Sequence, residues 1–128
     1  MAALLARHVP LVAADQALRQ GEWSFFAGRP GALRTELGSQ TLGLLGFGHI
    51  AKTLAQRAKA FGMHVVVANR SPVHSSDVDQ SFKLTDLHAF MASCDAIVVT
   101  LPLAENTRNL VDAQALACMR QEAVIVNV

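Results

Sequence analysis

The sequence predicts an α/β protein built on a doubly wound parallel sheet that is incomplete on its C-terminal side. Three observations predict it. Four β-rich runs, Thr41–Leu45, His64–Ala68, Ala96–Leu101 and Ala123–Val128, are nearly continuous in Val, Ile and Leu rather than alternating, as strands buried on both faces are. Helical patterns lie between them, and repeated strand–helix–strand units imply right-handed crossovers to a parallel sheet. A two-glycine turn joins the first run to the first of these helices.

Taken in order, Ala2–Gln20 reads as a helix that Pro10 is expected to kink or split. Gly21–Gly38 holds four Gly, one Pro and the aromatics Trp23, Phe25 and Phe26, and reads as an extended arm outside the sheet. After the first strand, Ile50, Leu54, Ala58 and Phe61 recur at helical spacing while Lys52, Gln56 and Lys59 fall on the opposite face. Gly62 then stands where a helix C′ residue belongs. Asp86–Ser93 is the next helix, with Thr85 as N-cap, and Ala113–Met119 is a short one, with Asp112 as N-cap. About four strands are thus expected. No internal repeat or low-complexity tract is present.

Composition narrows the class. The 128 residues carry 11 Lys+Arg against 10 Asp+Glu, a formal net charge of +1. That balance gives no electrostatic footprint for nucleic acid. Hydrophobic residues make up 52% before the eight glycines are added, against ~45–50% with glycine included in an average domain. Charged residues are 16%, against ~25%. A short chain has a large surface for its volume, so this one has the composition of the interior of something larger. Disorder is excluded by the hydrophobicity and the low net charge. No apolar run approaches the ~18 residues of a membrane span. The apolar N-terminus is interrupted by Arg7 and His8 and lacks a basic n-region, so it is a poor signal peptide. Cys94 and Cys118 both fall in helix or helix-end runs and read as buried free thiols of a reducing, cytoplasmic setting.

Gly46-Phe47-Gly48-His49-Ile50-Ala51 carries the chemistry. It is a G-x-G-x-x-A that follows a strand and opens a helix, the context that gives this pattern meaning. Gly46 permits the tight turn, Gly48 leaves room for a pyrophosphate, and Ala51 keeps helix and sheet close. The helix N-terminus offers free N–H groups and a partial positive charge to the anion. The expected fold is therefore of the Rossmann type, with residues 1–38 as leading helix and arm and residues 39–128 as a partial dinucleotide-binding domain. A rival reading, Gly46-x-x-x-x-Ala51-Lys52-Thr53 as a nucleoside-triphosphate loop, lacks the glycine before the lysine.

In such a domain an acid about 20 residues further on bonds the ribose 2′-OH. Here the second strand ends in Asn69-Arg70-Ser71, and no Asp or Glu occurs between Glu36 and Asp77. A carboxylate would repel a 2′-phosphate; Asn69 removes that repulsion, Arg70 can pair with phosphate and Ser71 can add a hydrogen bond. This favours NADP(H), with NAD(H) left open if Asn69 bonds the ribose hydroxyls and Arg70 points into solvent.

Three stretches carry a resemblance. They are Thr41–Ser71, with its Ala58-Lys59-Ala60-Phe61-Gly62-Met63 turn; Cys94–Val111, with a D-x-(apolar)-L-P-L-x-x-x-T pattern; and Met119–Val128. With the leading helix and Glu22-Trp23, they make the chain resemble the nucleotide-binding core of the D-isomer-specific 2-hydroxyacid dehydrogenases, which include glyoxylate/hydroxypyruvate reductases. The resemblance implies an oxidoreductase that moves hydride between the nicotinamide and a small 2-keto acid. It places His49 and Ile50, beside Gly46, Phe47 and Gly48, at the pyrophosphate. It places Asn69, Arg70 and Ser71 at the ribose-selecting position, where similar sequences tend toward NADP. Thr100, Leu101 and Pro102 would lie along the cofactor, with Thr107 in the same loop.

The departures matter as much. The family's arginine follows a pattern like N-V-(A/S)-R-G, and this chain stops at Val128. The family's catalytic acid and histidine lie further on, and none of the five histidines can be carried over: His8, His64, His74 and His88 read as surface or satisfied residues. No catalytic and no metal-ligating residue is therefore expected, and the chain alone is expected to bind cofactor without turnover. The alternatives are a non-catalytic dinucleotide sensor, like the family's corepressors, or a gene fragment without function. The resemblance implies that the leading helix and arm pack on a second subunit in full-length relatives, with Trp23, Phe25 and Phe26 suited to anchor it; intrachain packing of these aromatics is the other reading. The last strand is expected to form an unpaired edge prone to self-association, and the parent protein to be about two to three times longer.

Overall fold

The structure, a computed structural model, describes residues 1–8, 11–23 and 36–128, with the backbone alone at Arg7 and His8. It divides into two compact units, Met1–Glu36 and Leu37–Val128. In the first, α1 (Ala2–His8) and α2 (Leu11–Arg19) replace a single leading helix. Their ends flank the position of Pro10, which itself lies outside the described residues, as do Phe25 and Phe26. Trp23 is 83% exposed.

The second unit is a five-stranded, wholly parallel sheet. Its strands are β1 (Thr41–Leu45), β2 (His64–Asn69), β3 (Gln80–Lys83), β4 (Ala96–Val99) and β5 (Val124–Asn127), in the order β3-β2-β1-β4-β5. Three helices connect them: α3 (His49–Ala60), α4 (Leu87–Ser93) and α5 (Ala113–Ala117). The chain winds outward from β1 to β3, then returns to the far side of β1 for β4 and β5. With right-handed crossovers, α3 and α4 must then cover opposite faces. Alternation along the strands agrees. Leu45, Val66, Ala68 and Ile97 form one buried cluster with Leu87, Phe90, Met91 and Ala115 of α4 and α5. Leu42, Leu44, Val65 and Val67 point to the other face and are fully buried too, so the central strands read as continuous apolar runs. On α3 the buried residues are Ala51, Ala55 and Ala58, small side chains that let the helix axis lie close to the sheet.

Five sequence expectations are corrected. There are five strands rather than four: Gln80-Ser81-Phe82-Lys83 lies on an edge with three of its four residues exposed, so no apolar run announces it. The third predicted strand ends at Val99 instead of Leu101, and the last predicted helix at Ala117 instead of Met119. Thr85 caps nothing: a 3-10 turn, Leu84–Asp86, precedes α4, and the Thr85 hydroxyl meets the Asp86 carboxylate at 3.4 Å. Of the two free thiols, only Cys94 is buried; Cys118 is half-buried. Burial pushes the Cys94 thiol up to about 11. Asp112 does cap α5, accepting the Ala115 N–H at 2.8 Å, and Gly62 ends α3 with φ +76. Among the described residues, β3 and β5 form the edges of the sheet, and no helix is long and apolar enough to cross a membrane.

Candidate functional site

The winding direction reverses between β1 and β4. In open α/β sheets a crevice forms outside the carboxyl ends of the strands at such a point. Three segments meet there: the turn after β1, the residues ending β2, and those following β4. Backbone bonds tie them together, since the Gly46 N–H donates to Ala68 O at 2.9 Å and the Thr100 N–H to Leu45 O at 2.9 Å.

Only Gly46, Phe47 and Gly48 separate β1 from α3. This three-residue turn is too short to wrap a triphosphate, and the Thr53 hydroxyl is committed to His49 O at 3.1 Å inside the helix. Gly46 has φ +93, a region that disfavours side chains. A Cβ there would lie 2.8 Å from Leu101 Cδ2 and 3.2 Å from Thr100 Oγ1. Gly48 differs. Its φ is −83 with extended ψ, and a Cβ on it would meet nothing within 4 Å. The first intrahelical bond of α3 runs from Lys52 N–H to Gly48 O, so the preceding N–H groups face the end of the helix without an intrahelical acceptor. Nothing acidic opposes them in sequence between Glu36 and Asp77.

At the end of β2, Asn69 is half-buried and Arg70 and Ser71 are exposed. The Asn69 amide donates to Ser71 O at 3.2 Å, which bends the chain and leaves the side-chain carbonyl as the group free to accept. After β4, the Thr100 hydroxyl is shared between Leu45 O at 3.2 Å and Gly46 O at 3.3 Å. The Thr107 hydroxyl accepts from Ala104 N–H at 2.8 Å and donates to Pro102 O at 2.7 Å. Both hydroxyls are therefore occupied within the protein, shaping the segment that follows β4. Beneath that segment is a cavity of about 380 Å³, lined by Leu45, Leu101, Pro102, Thr107, Ile125 and Asn127 among others.

The family model for "D-isomer specific 2-hydroxyacid dehydrogenase, NAD binding domain" matches residues 1–128. The chain belongs to this family. A glyoxylate reductase of Thermococcus kodakarensis is 30% identical over 128 residues, covering 98% of this chain and 38% of the reductase. A hydroxypyruvate reductase of Thermotoga maritima is 32% identical over 122 residues, covering 95% of this chain and 37% of its own length. An acyclic imino acid reductase, solved in complex with NADPH and D-Arg, superposes with a TM-score of 0.82 at 29% identity, over 97% of this chain and 38% of that one. The chain thus spans less than two-fifths of the length of these relatives.

In this domain, all twelve residues singled out from the sequence lie at or beyond the carboxyl ends of β1, β2 and β4: Gly46–Ile50 after β1 and in α3, Asn69–Ser71 at the end of β2, and Thr100–Pro102 with Thr107 after β4. His49 and Ile50 are exposed in the first turn of α3, Ile50 by 59%. His64, His74 and His88 lie elsewhere and are exposed. The sequence reading passed over Leu103, Ile125 and Asn127, which also line the cavity. The rule that ligands bind at strand ends could have found Asn127, the last residue of β5. Among the described residues, no group of three or more His, Cys, Asp or Glu could hold a metal ion.

Proposed function

We propose that the domain binds NADP(H) across the ends of β1, β2 and β4, as the nucleotide-binding part of an oxidoreductase acting on small 2-keto acids such as glyoxylate or hydroxypyruvate. The observation that carries this reading is the contrast between the two turn glycines. The fold itself requires Gly46, through its φ and its contacts with Leu101 and Thr100. It places no such demand on Gly48, where a side chain would fill only open space in front of a helix N-terminus. That space suits an anion approaching the backbone closely.

On this reading Phe47–Ile50 hold the pyrophosphate by backbone N–H groups, on the turn that Gly46 permits with its own N–H bonded to Ala68 O. Asn69, Arg70 and Ser71 take the adenosine ribose and its 2′-phosphate, and Thr100–Pro102 and Thr107 shape the wall along the rest. When bound, the nicotinamide supplies a hydride donor or acceptor. The chain's own residues bind and orient. Reduction of a 2-keto acid also needs a cation for the carboxylate and a proton donor for the carbonyl oxygen. The residues described at these strand ends offer backbone groups, hydroxyls, amides and the imidazole of His49, with Arg70 at the end of β2. On this reading His49 lies at the pyrophosphate and Arg70 at the ribose, so neither serves the keto acid and the chain alone binds without turnover. The absence of a carboxylate at the end of β2, and the NADPH in the imino acid reductase, support NADP(H) over NAD(H). Residues 1–38 form the leading segment and residues 39–128 the nucleotide-binding part. Exposed Trp23 suits a homodimer contact in the whole enzyme, and the free thiols suit the cytoplasm.

Titration of the purified chain with NADPH and with NADH, followed by nicotinamide fluorescence and calorimetry, tests the proposal. Tighter binding of NADPH is expected, with no consumption of NADPH when glyoxylate or hydroxypyruvate is added. Equal or tighter binding of NADH overturns the NADP preference, and failure to bind either overturns the dinucleotide reading.

A further inference from the structure

Thr100 lies just beyond β4, yet its side chain bonds to the turn after β1. Its hydroxyl proton is shared between Leu45 O at 3.2 Å and Gly46 O at 3.3 Å. On the other side, the Gly46 N–H is held by Ala68 O of β2 at 2.9 Å. The glycine of the turn is thus gripped by both neighbouring strands, through its N–H from one and its C=O from the other. Leu101 closes the remaining space, where a Cβ on Gly46 would lie 2.8 Å from its Cδ2.

This grip has a consequence for the next peptide. The Gly46 carbonyl and the Phe47 N–H belong to one planar trans unit, in which the two groups point in opposite directions. Holding the carbonyl toward Thr100 therefore fixes the direction in which the Phe47 N–H can donate. We propose that Thr100 is a positioning residue for the phosphate-binding turn, acting on the ligand through the Gly46–Phe47 peptide rather than by touching the cofactor. This inference rests on the dinucleotide reading above, and it assigns the Thr100 hydroxyl a partner inside the protein in place of a contact with the cofactor.

The test compares the 128-residue chain with Thr100→Val, which keeps the shape and removes the hydroxyl, and Thr100→Ser, which restores it. Three quantities are measured: affinity for NADPH, affinity for adenosine 2′-monophosphate, which lacks the pyrophosphate, and amide shifts and hydrogen exchange at Phe47 and Gly48 without ligand. Thr100→Val is expected to weaken NADPH binding about five- to tenfold, the worth of one hydrogen bond. It should leave adenosine 2′-monophosphate binding unchanged and loosen the two amides. Thr100→Ser should return all three toward the parent values. Unchanged amides in Thr100→Val overturn the proposal, because a residue that only touches the cofactor would leave the free turn as it was. Equal weakening toward both ligands, or no rescue by Thr100→Ser, also overturns it. If the parent chain binds neither ligand, the dinucleotide reading fails, and the amides alone still decide whether Thr100 holds the turn. Should Thr100→Val fail to fold, Thr100→Ala carries the same comparison; failure of both to fold overturns the proposal, since the hydroxyl then serves the whole fold.

Discussion

The Asp95 carboxylate accepts the Thr41 N–H at 2.8 Å, joining the start of β1 to the residue that precedes β4. The backbone reinforces the pair, with the Asp95 N–H donating to Thr41 O at 3.0 Å and the Val124 N–H to Asp95 O at 3.0 Å. Arg120 reaches the same carboxylate and also donates to Ala92 O at 3.3 Å. One acidic residue thus aligns the starts of β1, β4 and β5, at the end of the sheet opposite the candidate site.

Removing that carboxylate leaves the partly buried Thr41 N–H without its acceptor. Asp95→Ala is expected to lower stability by about 1–3 kcal/mol, measured by urea unfolding. Arg120→Ala should cost under about 1 kcal/mol, because its side chain is half exposed and solvent screens the pair. A larger loss from Arg120→Ala than from Asp95→Ala would reverse this assignment.

Glycines separate fold from function. A Cβ on Gly43 would press on Cys94 Sγ and lie 2.8 Å from Phe90 Cζ, both fully buried. Gly43→Ala is expected to cost about 1–3 kcal/mol by overpacking. Gly48→Ala should leave stability within about 0.5 kcal/mol while weakening dinucleotide binding on the order of tenfold. Thermal melts and ligand titrations on the two variants check both halves.

Asn69→Asp places a carboxylate at the position proposed to select the ribose. Repulsion of a 2′-phosphate should cut NADPH affinity by more than about tenfold, with NADH affinity held or raised. Comparative titration reads the change, and an unaltered NADPH/NADH ratio would separate residue 69 from cofactor choice.

Acid stability turns on Asp79. The Val65 N–H, donated at 2.7 Å, holds this carboxyl below the usual carboxylate range against the opposing effect of burial; Lys59 and His64 lower it further. Because the folded-state pKa lies below the unfolded one, the contribution is complete above the ordinary Asp value of about 3.9. It is lost as pH falls through the folded value. The melting temperature should therefore drop below about pH 4, and Asp79→Asn should flatten that limb of the profile. Persistence of the full drop in Asp79→Asn would move its origin to other carboxylates.

The central strands were legible because both faces of β1, β2 and β4 are buried, which writes them as unbroken Val/Ile/Leu runs. The turn from Gly46 to Ala51 was legible because a strand, two glycines and a helix at that spacing serve one geometry. Edge strand β3 was not, since only Phe82 of its four residues is even partly covered. Nor was Thr85, whose place before α4 is taken by a 3-10 turn that needs no side-chain cap. At the site, residue types indicated what Thr100 and Thr107 could donate but not to whom. Their acceptors, Leu45 O, Gly46 O and Pro102 O, are backbone oxygens whose placement depends on which strands lie side by side.

The turn at Gly46 hangs from the middle strand, and its peptide groups are bonded to the strands on either side. Opening it breaks bonds to both sides, from the Gly46 N–H to Ala68 O and from the Thr100 hydroxyl to Gly46 O. A molecule held there is therefore thermodynamically linked to global unfolding, and at one hundred times its dissociation constant it should add about 2.7 kcal/mol to the stability of the whole domain. Heat resistance becomes a gauge of occupancy: a melting scan across nucleotides and their fragments ranks ligands for this chain without an activity assay.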